Sequence, residues 1–251
     1  PSGGATATIA RKPMPAIRHA ARPAKRRLAA LLLALCTAGA ARAQVYDPLE
    51  SVNRVIFNVN DALDRDVVRP IAQGYVDIVP RLVRTGVSNV FGNLGDAFSA
   101  INNLLQGKKD PFGSDLSRVL VNSTIGLGGI FDIATDAGLE KYNEDFGQTL
   151  GRWGLASGPY LVLPIFGPSS VRDGLGFAVD IAADPVRRTA TEGQSNNFSL
   201  TRIIDTRASL LSTERLIDGA ALDRYSFIRD GYLQRRRNQV YDGNPPPSKD
   251  E

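Results

Sequence analysis

The 251-residue chain carries 30 Lys and Arg against 26 Asp and Glu, a formal charge of +4, with a single His, Cys, Met and Trp. The basic surplus belongs to the first 43 residues, which contain Arg11, Lys12, Arg18, Arg22, Lys25, Arg26, Arg27 and Arg42 and no acid; the remainder has 22 basic against 26 acidic side chains and a net charge of −4. His19 and Cys36 also fall in that stretch, so the rest of the chain excludes a Cys nucleophile, a Ser-His-Asp triad, a His-ligated zinc site and a disulfide framework, and it lacks the charge footprint of a nucleic-acid binder.

The N-terminal basic segment is followed by an apolar run over residues 28–41, and Ala41-Arg42-Ala43 gives a small-x-small cleavage site. This is the form of a secretory signal, too short to span a bilayer, which takes roughly 20 apolar residues. The expected division is a leader over residues 1–43, one helical domain over 44–240 and a disordered Pro-rich tail over 241–251. Met14, the sole methionine, is the expected translation start, with 1–13 upstream of it.

Asp47-Pro48-Leu49-Glu50 reads as a capped helix start. Val52, Val55, Ile56, Val59 and Leu63 then follow helical spacing, and Pro70 predicts an end near Val68. The other face of this helix is rich in amides. It suits either a surface helix on a core or a helix lying in a membrane interface. Pro80 opens a further helix through Phe91, Asp96 is expected to cap the next through Leu105, and Asp110-Pro111 restarts the pattern. Residues 126–131 form a Gly-rich apolar turn, Ser170 with Asp173 marks another helix start, and the final third reads as two long helices. Arg235-Arg236-Arg237 reads as a solvated helix end or a contact with anionic head groups. Period-2 alternation is rare, so the fold class is all-α, with amphipathic faces and no transmembrane span.

Residues 146–173 are the most unusual segment. Gly147, Gly151, Gly154 and Gly158 recur at i, i+4, i+7 and i+11, which on one helix makes a stripe without side chains beside Phe146, Leu150 and Trp153. The stripe permits either tight helix packing or a surface shaped around lipid. Beyond it, Tyr160 to Phe166 is an apolar run that Pro159, Pro164, Gly167 and Pro168 keep out of a long regular element. No phosphate loop, nucleophile elbow or calcium loop is found, and no carboxylate pair is singled out, so the chain reads as a non-enzyme without cofactor or metal.

The run Asp47-Pro48-Leu49-Glu50-Ser51-Val52-Asn53-Arg54-Val55-Ile56-Phe57-Asn58, then Val68-Arg69-Pro70, Gly86-Val87-Ser88-Asn89-Val90-Phe91-Gly92-Asn93-Leu94 and residues 146–173, in that order and spacing, resembles the MlaA (VacJ) family of Gram-negative outer-membrane lipoproteins. The likeness covers about residues 47–180 and is looser beyond Asp184. It implies a ring-shaped helical protein in the inner leaflet of the outer membrane, bound to trimeric porin. Such a protein passes misplaced phospholipids from the outer leaflet to a periplasmic carrier and so maintains lipid asymmetry.

On that reading the lipid path involves Gly147, Gly151, Trp153, Gly154, Gly158, Pro159, Tyr160, Leu163, Pro164 and Phe166. Asn53, Arg54, Phe57 and Asn58 gate or shape the ring, while Arg172-Asp173 is an internal ion pair. Family members are usually lipidated on a Cys preceded by a small residue. Here Leu35 precedes Cys36 and a cut after Ala43 would discard that Cys, so an unlipidated form is expected, with lipidation at Cys36 as the alternative. A porin-associated structural envelope protein without lipid transport is the alternative function.

Overall fold

The computed structural model describes residues 47–217 and 223–247. The expected leader, with Cys36 and the cleavage site, and the last residues of the tail lie outside them. In chain order come α1 (Glu50–Leu63), a π-helical turn (Asp64–Val68), α2 (Arg69–Ile78), α3 (Arg81–Leu105), α4 (Lys109–Thr124), a short α5 (Ile133–Asp136) and α6 (Phe146–Arg152). The strands β1 (Tyr160–Leu163) and β2 (Gly167–Ser170) follow, then α7 (Val171–Ala183), a short α8 (Pro185–Thr189), α9 (Glu192–Ile217) and α10 (Arg224–Val240).

Helical content dominates, as expected, with local corrections. The chain stays helical past Val68. Pro70 offers no N–H and its ring crowds the carbonyl one turn back, and the wider π turn before it absorbs both effects. The two helices expected around Asp96 are one helix of 25 residues, and Asp96 is buried in its middle rather than capping it. The all-α expectation also misses an antiparallel hairpin that pairs Tyr160 with Ser170, Leu161 with Ser169, Val162 with Pro168 and Leu163 with Gly167. Pro159, Pro164 and Pro168 deny this segment a helical ladder, so its polar backbone finds partners across a ribbon instead.

The polarity of the fold is inverted. Asn53, Asp96, Ser99, Asn103, Asp115, Arg118, Gln148 and Thr149 are at most 2 % exposed, whereas Val55, Val59, Leu82, Ile125 and Leu127 are between 61 % and 87 % exposed. In α3 the buried stripe is Asp96, Ser99, Asn102 and Asn103, and the exposed one is Ile101, Leu104 and Leu105. In α4 Asp115, Arg118 and Asn122 point inward, and Leu116 and Leu120 point out. The same holds in α1, where Asn53 is buried and Val52, Val55 and Val59 are exposed. A small apolar cluster of Tyr160, Val162, Tyr225 and Tyr232, with Ile56, Phe57 and Leu233 against it, joins α1, the hairpin and α10.

Buried polar groups on this scale persist only when each is paired. Ser99 Oγ donates to Asp115 Oδ2 at 2.5 Å, Asn103 Nδ2 donates to the same oxygen at 2.9 Å, and Tyr142 N donates to Asp115 Oδ1 at 3.1 Å. Burial still raises the Asp115 carboxyl above its ordinary range, with these three bonds opposing. Among the described residues, no helix is long and apolar enough to cross a membrane.

Candidate functional site

Two amides of α1 hold the hairpin. Asn53 Nδ2 donates to Tyr160 O at 3.0 Å and its Oδ1 accepts from Val162 N at 2.9 Å. One heptad on, Asn60 Nδ2 donates to Leu163 O at 2.9 Å and its Oδ1 accepts from Ile165 N at 2.8 Å. Each side chain thus copies a neighbouring strand's donor and acceptor, satisfying a sheet edge that no third strand covers among the described residues. Asn53 is a structural partner of the ribbon; Asn60, at the same helical face, was missed as a site residue although its i+7 spacing from Asn53 is visible in the sequence.

The hairpin turn, with Ile165 at φ 71 and Gly167 at φ 81, projects Leu163 and Phe166 over α7. There the Phe166 ring meets Phe177 at 4.7 Å between centroids, tilted by 62°. Under these rings lies a cleft of about 240 Å³ whose walls are Leu163, Phe166, Pro168 and Phe177, and whose polar lining includes Asp145, Asp173, Asp180, Tyr232, Arg235 and Arg236. One side is apolar and the other charged, the layout an amphiphile needs.

Arg236 organises the charged side. Its Nη1 and Nη2 donate to Asp145 at 2.6 and 2.9 Å, and its Nε and Nη2 donate to Asp173 at 3.1 and 2.8 Å. Asp173 also accepts from Tyr232 Oη at 2.7 Å and from Arg172 Nη2 at 2.8 Å, so the expected Arg172–Asp173 ion pair is present within a larger network. Burial works to raise the Asp173 carboxyl, but Arg236, Tyr232 and Arg172 together hold it well below the usual carboxylate range. The Arg235-Arg236-Arg237 run is therefore not a uniformly solvated end: 100° steps along α10 bury Arg236 and leave its two neighbours exposed.

Asp180 behaves differently. Burial pushes its carboxyl up to about 6; the Phe146 N–H, at 3.3 Å, and the Arg236 charge oppose that shift, and the Asp145 charge adds to it. A carboxyl raised in the folded state contributes stability that is complete below the ordinary carboxylate range and is lost as pH rises through about 6. Asp180→Asn is therefore expected to raise unfolding stability by roughly 1–3 kcal/mol at pH 8 and to give no gain near pH 4. Urea titration of both proteins at the two pH values checks this, and an equal effect at both would refute it.

The expected glycine stripe does not form as one helix face, because α6 stops at Arg152. Gly154, at φ 97, and Gly158, at φ 68, lie in the turns that follow. Only Gly147 and Gly151 share the helix, and there they serve packing. A Cβ on Gly147 would lie 2.8 Å from Arg236 Nη2 and from Asp173 Oδ1, and one on Gly151 would lie 2.9 Å from Arg172 Nη1 and Val240 Cγ1. Their true counterpart is Gly176 of α7, a position the stripe did not include: a Cβ there would sit 2.3 Å from Gly147 N.

Trp153 is exposed, donates from Nε1 to Leu105 O at 3.1 Å and meets Phe146 edge-on. Pro159, Pro164 and Phe166 are exposed, Leu163 is half-buried, and Tyr160 is buried in the apolar cluster with its hydroxyl pushed up to about 12, chiefly by burial. Of the α1 candidates, Arg54 binds Glu50 and Asp223 at 2.8 and 2.7 Å and lies 4.4 Å over the Tyr225 ring, and Phe57 meets that ring edge-on at 5.7 Å. Asn58 is exposed and lies apart from the cleft lining. Phe177, Asp180 and Arg235 enter the site only through the tertiary arrangement.

A family model described as MlaA lipoprotein matches residues 45–239, extending through the last helix, where the residue likeness is looser. An intermembrane phospholipid transport system lipoprotein of Shigella flexneri is 36 % identical over 211 residues, covering 82 % of each chain. Its namesake in Haemophilus influenzae is 30 % identical over 237 residues, covering 89 % of this chain and 93 % of that one. A solved structure concerned with maintenance of bacterial outer membrane lipid asymmetry superposes with a TM-score of 0.69 at 33 % identity, covering 79 % of this chain and all of the other.

Proposed function

The chain belongs to the MlaA lipoprotein family, and from that membership we propose that it is the outer-membrane component of an intermembrane phospholipid transport system. It removes mislocalised phospholipid from the outer leaflet and so maintains lipid asymmetry. The observation that carries the reading is the inverted polarity. Helices that turn Asp, Asn and Arg inward and Val, Leu and Ile outward are matched to a hydrocarbon surround, where internal polar groups must satisfy one another and apolar faces need no water. Lacking a spanning helix among the described residues, the protein lies within one leaflet by these faces. Movement of a lipid down its gradient needs a surface that tolerates chain and head together and no catalytic group.

In this reading the lipid path runs beside Trp153, Gly154, Gly158, Pro159, Leu163, Pro164 and Phe166, with Gly147 and Gly151 packing the wall behind it and Tyr160 anchoring the ribbon. A trimeric porin seats the protein in the membrane, and a periplasmic carrier takes the lipid on.

Gly154→Leu provides the test. A Cβ at that position meets nothing within 4 Å, so the fold tolerates the side chain at the cost of φ 97, about 1–3 kcal/mol. A strain carrying only this variant is expected to accumulate outer-leaflet phospholipid, measured on intact cells with a membrane-impermeant amine-reactive label. Wild-type labelling at normal protein level would remove the loop from the path. Recovery of the protein from mild detergent with porin but without phospholipid would favour a structural envelope role instead.

A further inference from the structure

Most charges around the cleft are already committed to one another. Arg236 is shared by Asp145 and Asp173, and Arg172 adds a second guanidinium to Asp173. Two groups are left over, on different helices. Asp180 of α7 uses only Oδ2, which accepts from Phe146 N at 3.3 Å, and its Oδ1 has no hydrogen-bond partner among the described residues. Arg235 of α10 lines the same cleft, is exposed, and makes no hydrogen bond or ion pair among the described residues. The two do not pair with each other. The cleft therefore presents one unspent carboxylate and one unspent guanidinium beneath a lip of Leu163, Phe166 and Phe177.

Resting on the lipid-passage reading, we propose that this cleft receives the head of a zwitterionic aminoalkyl phospholipid, its ammonium at Asp180, its phosphate at Arg235 and its glycerol and upper acyl carbons against the Phe166–Phe177 pair. Separated opposite charges complement a head that carries both signs and has no net charge. An anionic head has nothing to offer Asp180: it brings a negative phosphate to a cleft whose other cations are already bound, so a carboxylate in a partly desolvated site opposes it. A guanidinium suits phosphate oxygens by its planar fork of donors, and the apolar lip excludes water from both contacts. The site thus has a sign preference as well as a shape preference.

The titratable groups that line the cleft with Asp180 are Asp145 at the cap of α6, Asp173 of α7, and Tyr232, Arg235 and Arg236 of α10; the hairpin contributes Leu163, Phe166, Pro168 and Ser169, none of which titrates. Asp180 is the member of this set whose carboxyl is raised to about 6, so capture of an ammonium weakens as pH falls below that value, whereas phosphate contact at Arg235 does not.

The test titrates the full chain, held in mild detergent at pH 7.5, with short-chain dihexanoyl phosphatidylethanolamine and, separately, dihexanoyl phosphatidylglycerol. The ethanolamine lipid is expected to bind about tenfold more tightly. Asp180→Asn, which removes a partly buried charge and so leaves the chain no less stable, is expected to bring the two affinities within about twofold, and Arg235→Gln, on an exposed side chain unpaired among the described residues, to weaken both. The native preference is expected to fade at pH 5. Equal native affinities would overturn the head-group assignment and leave lipid passage standing. Binding of neither lipid would overturn the assignment and also remove the cleft from the lipid path. Displacement by free phosphoethanolamine as effective as by the lipid would overturn it in favour of a soluble amino phosphate.

Discussion

Replacing Arg118 by Met is expected to lower the unfolding free energy by about 3–5 kcal/mol, the cost of breaking a buried ion pair from one side. Arg118 is 1 % exposed, and each of its five N–H groups is used. Nε donates to Asp96 Oδ2 at 2.9 Å, Nη1 to Thr135 Oγ1 at 3.1 Å and Leu139 O at 2.9 Å, and Nη2 to both oxygens of Asp132 at 3.0 and 3.2 Å. One side chain of α4 thereby ties α3 to the loop carrying α5. Met fills a similar volume but leaves Asp96, also 1 % exposed, with Lys141 as its remaining cation.

Arg118→Lys keeps the charge but has three donors from a single point, so it is expected to recover less than half of the loss. Asp132 adds a pH signature. Burial works to raise its carboxyl, but Thr135, Asn122 and Arg118 hold it at about 2, so its stabilisation is present above the ordinary carboxylate range and lost as pH falls towards 2. Without Arg118 that loss begins at higher pH. Urea unfolding followed by helical circular dichroism in mild detergent, at pH 7 and pH 4, measures both effects. A change under about 1 kcal/mol for Arg118→Met would mean that water reaches the seam between α3 and α4.

The second large effect is expected from the smallest change, Gly176→Ala. The added Cβ would stand 2.3 Å from Gly147 N, 2.6 Å from Gly147 Cα and 3.0 Å from Phe146 C, all backbone atoms of α6. No rotamer change relieves such a contact, so α6 and α7 must move apart, at about 3 kcal/mol, the upper end of ordinary overpacking costs. The movement also reaches the cleft. Asp145 caps α6 through Gln148 N at 2.9 Å and binds Arg236, while Asp173 and Asp180 ride on α7. Separating the helices splits the Asp145–Arg236–Asp173 bridge and deprives Asp180 of Phe146 N. Gly176→Ala is thus expected to reduce both stability and retrieval of outer-leaflet phospholipid, whereas Gly174→Ala two residues away, whose Cβ would lie 3.7 Å from Ser169 Oγ, should affect neither. Equal behaviour of the two variants would refute the close crossing.

Much of the fold was legible because its signals are local. Ser170 caps a helix by accepting from Asp173 N three residues on, as its spacing predicts, and Gly107 and the loop around Gly128 end helices with positive φ; the equally local caps at Asp145 and Asp223 went unread. The reading failed where a distant partner overrides a local preference. Asp96 resembles a cap, but Arg118 and Lys141 bury it inside a longer helix. Gly147 through Gly158 share a helical period, yet the chain leaves the helix at Arg152 because Gly154 and Gly158 are used for positive φ. Periodicity cannot reveal which glycines are present for space and which for backbone angle.

Hydrophobic spacing, caps and prolines act within a few residues, and they alone make this chain a set of amphipathic helices interrupted by a Pro-bracketed apolar segment. Which face of each helix points inward is set by long-range pairing. An amphipathic helix has the same sequence whether its core is apolar and its surroundings are water or its core is polar and its surroundings are lipid. The choice is made by the partners that Asn53, Asp115, Arg118 and Asp173 find across tens of residues. Those pairings hold the buried charges and most of the buried amide groups, and they leave Val55, Leu82, Leu120 and Ile125 facing outward.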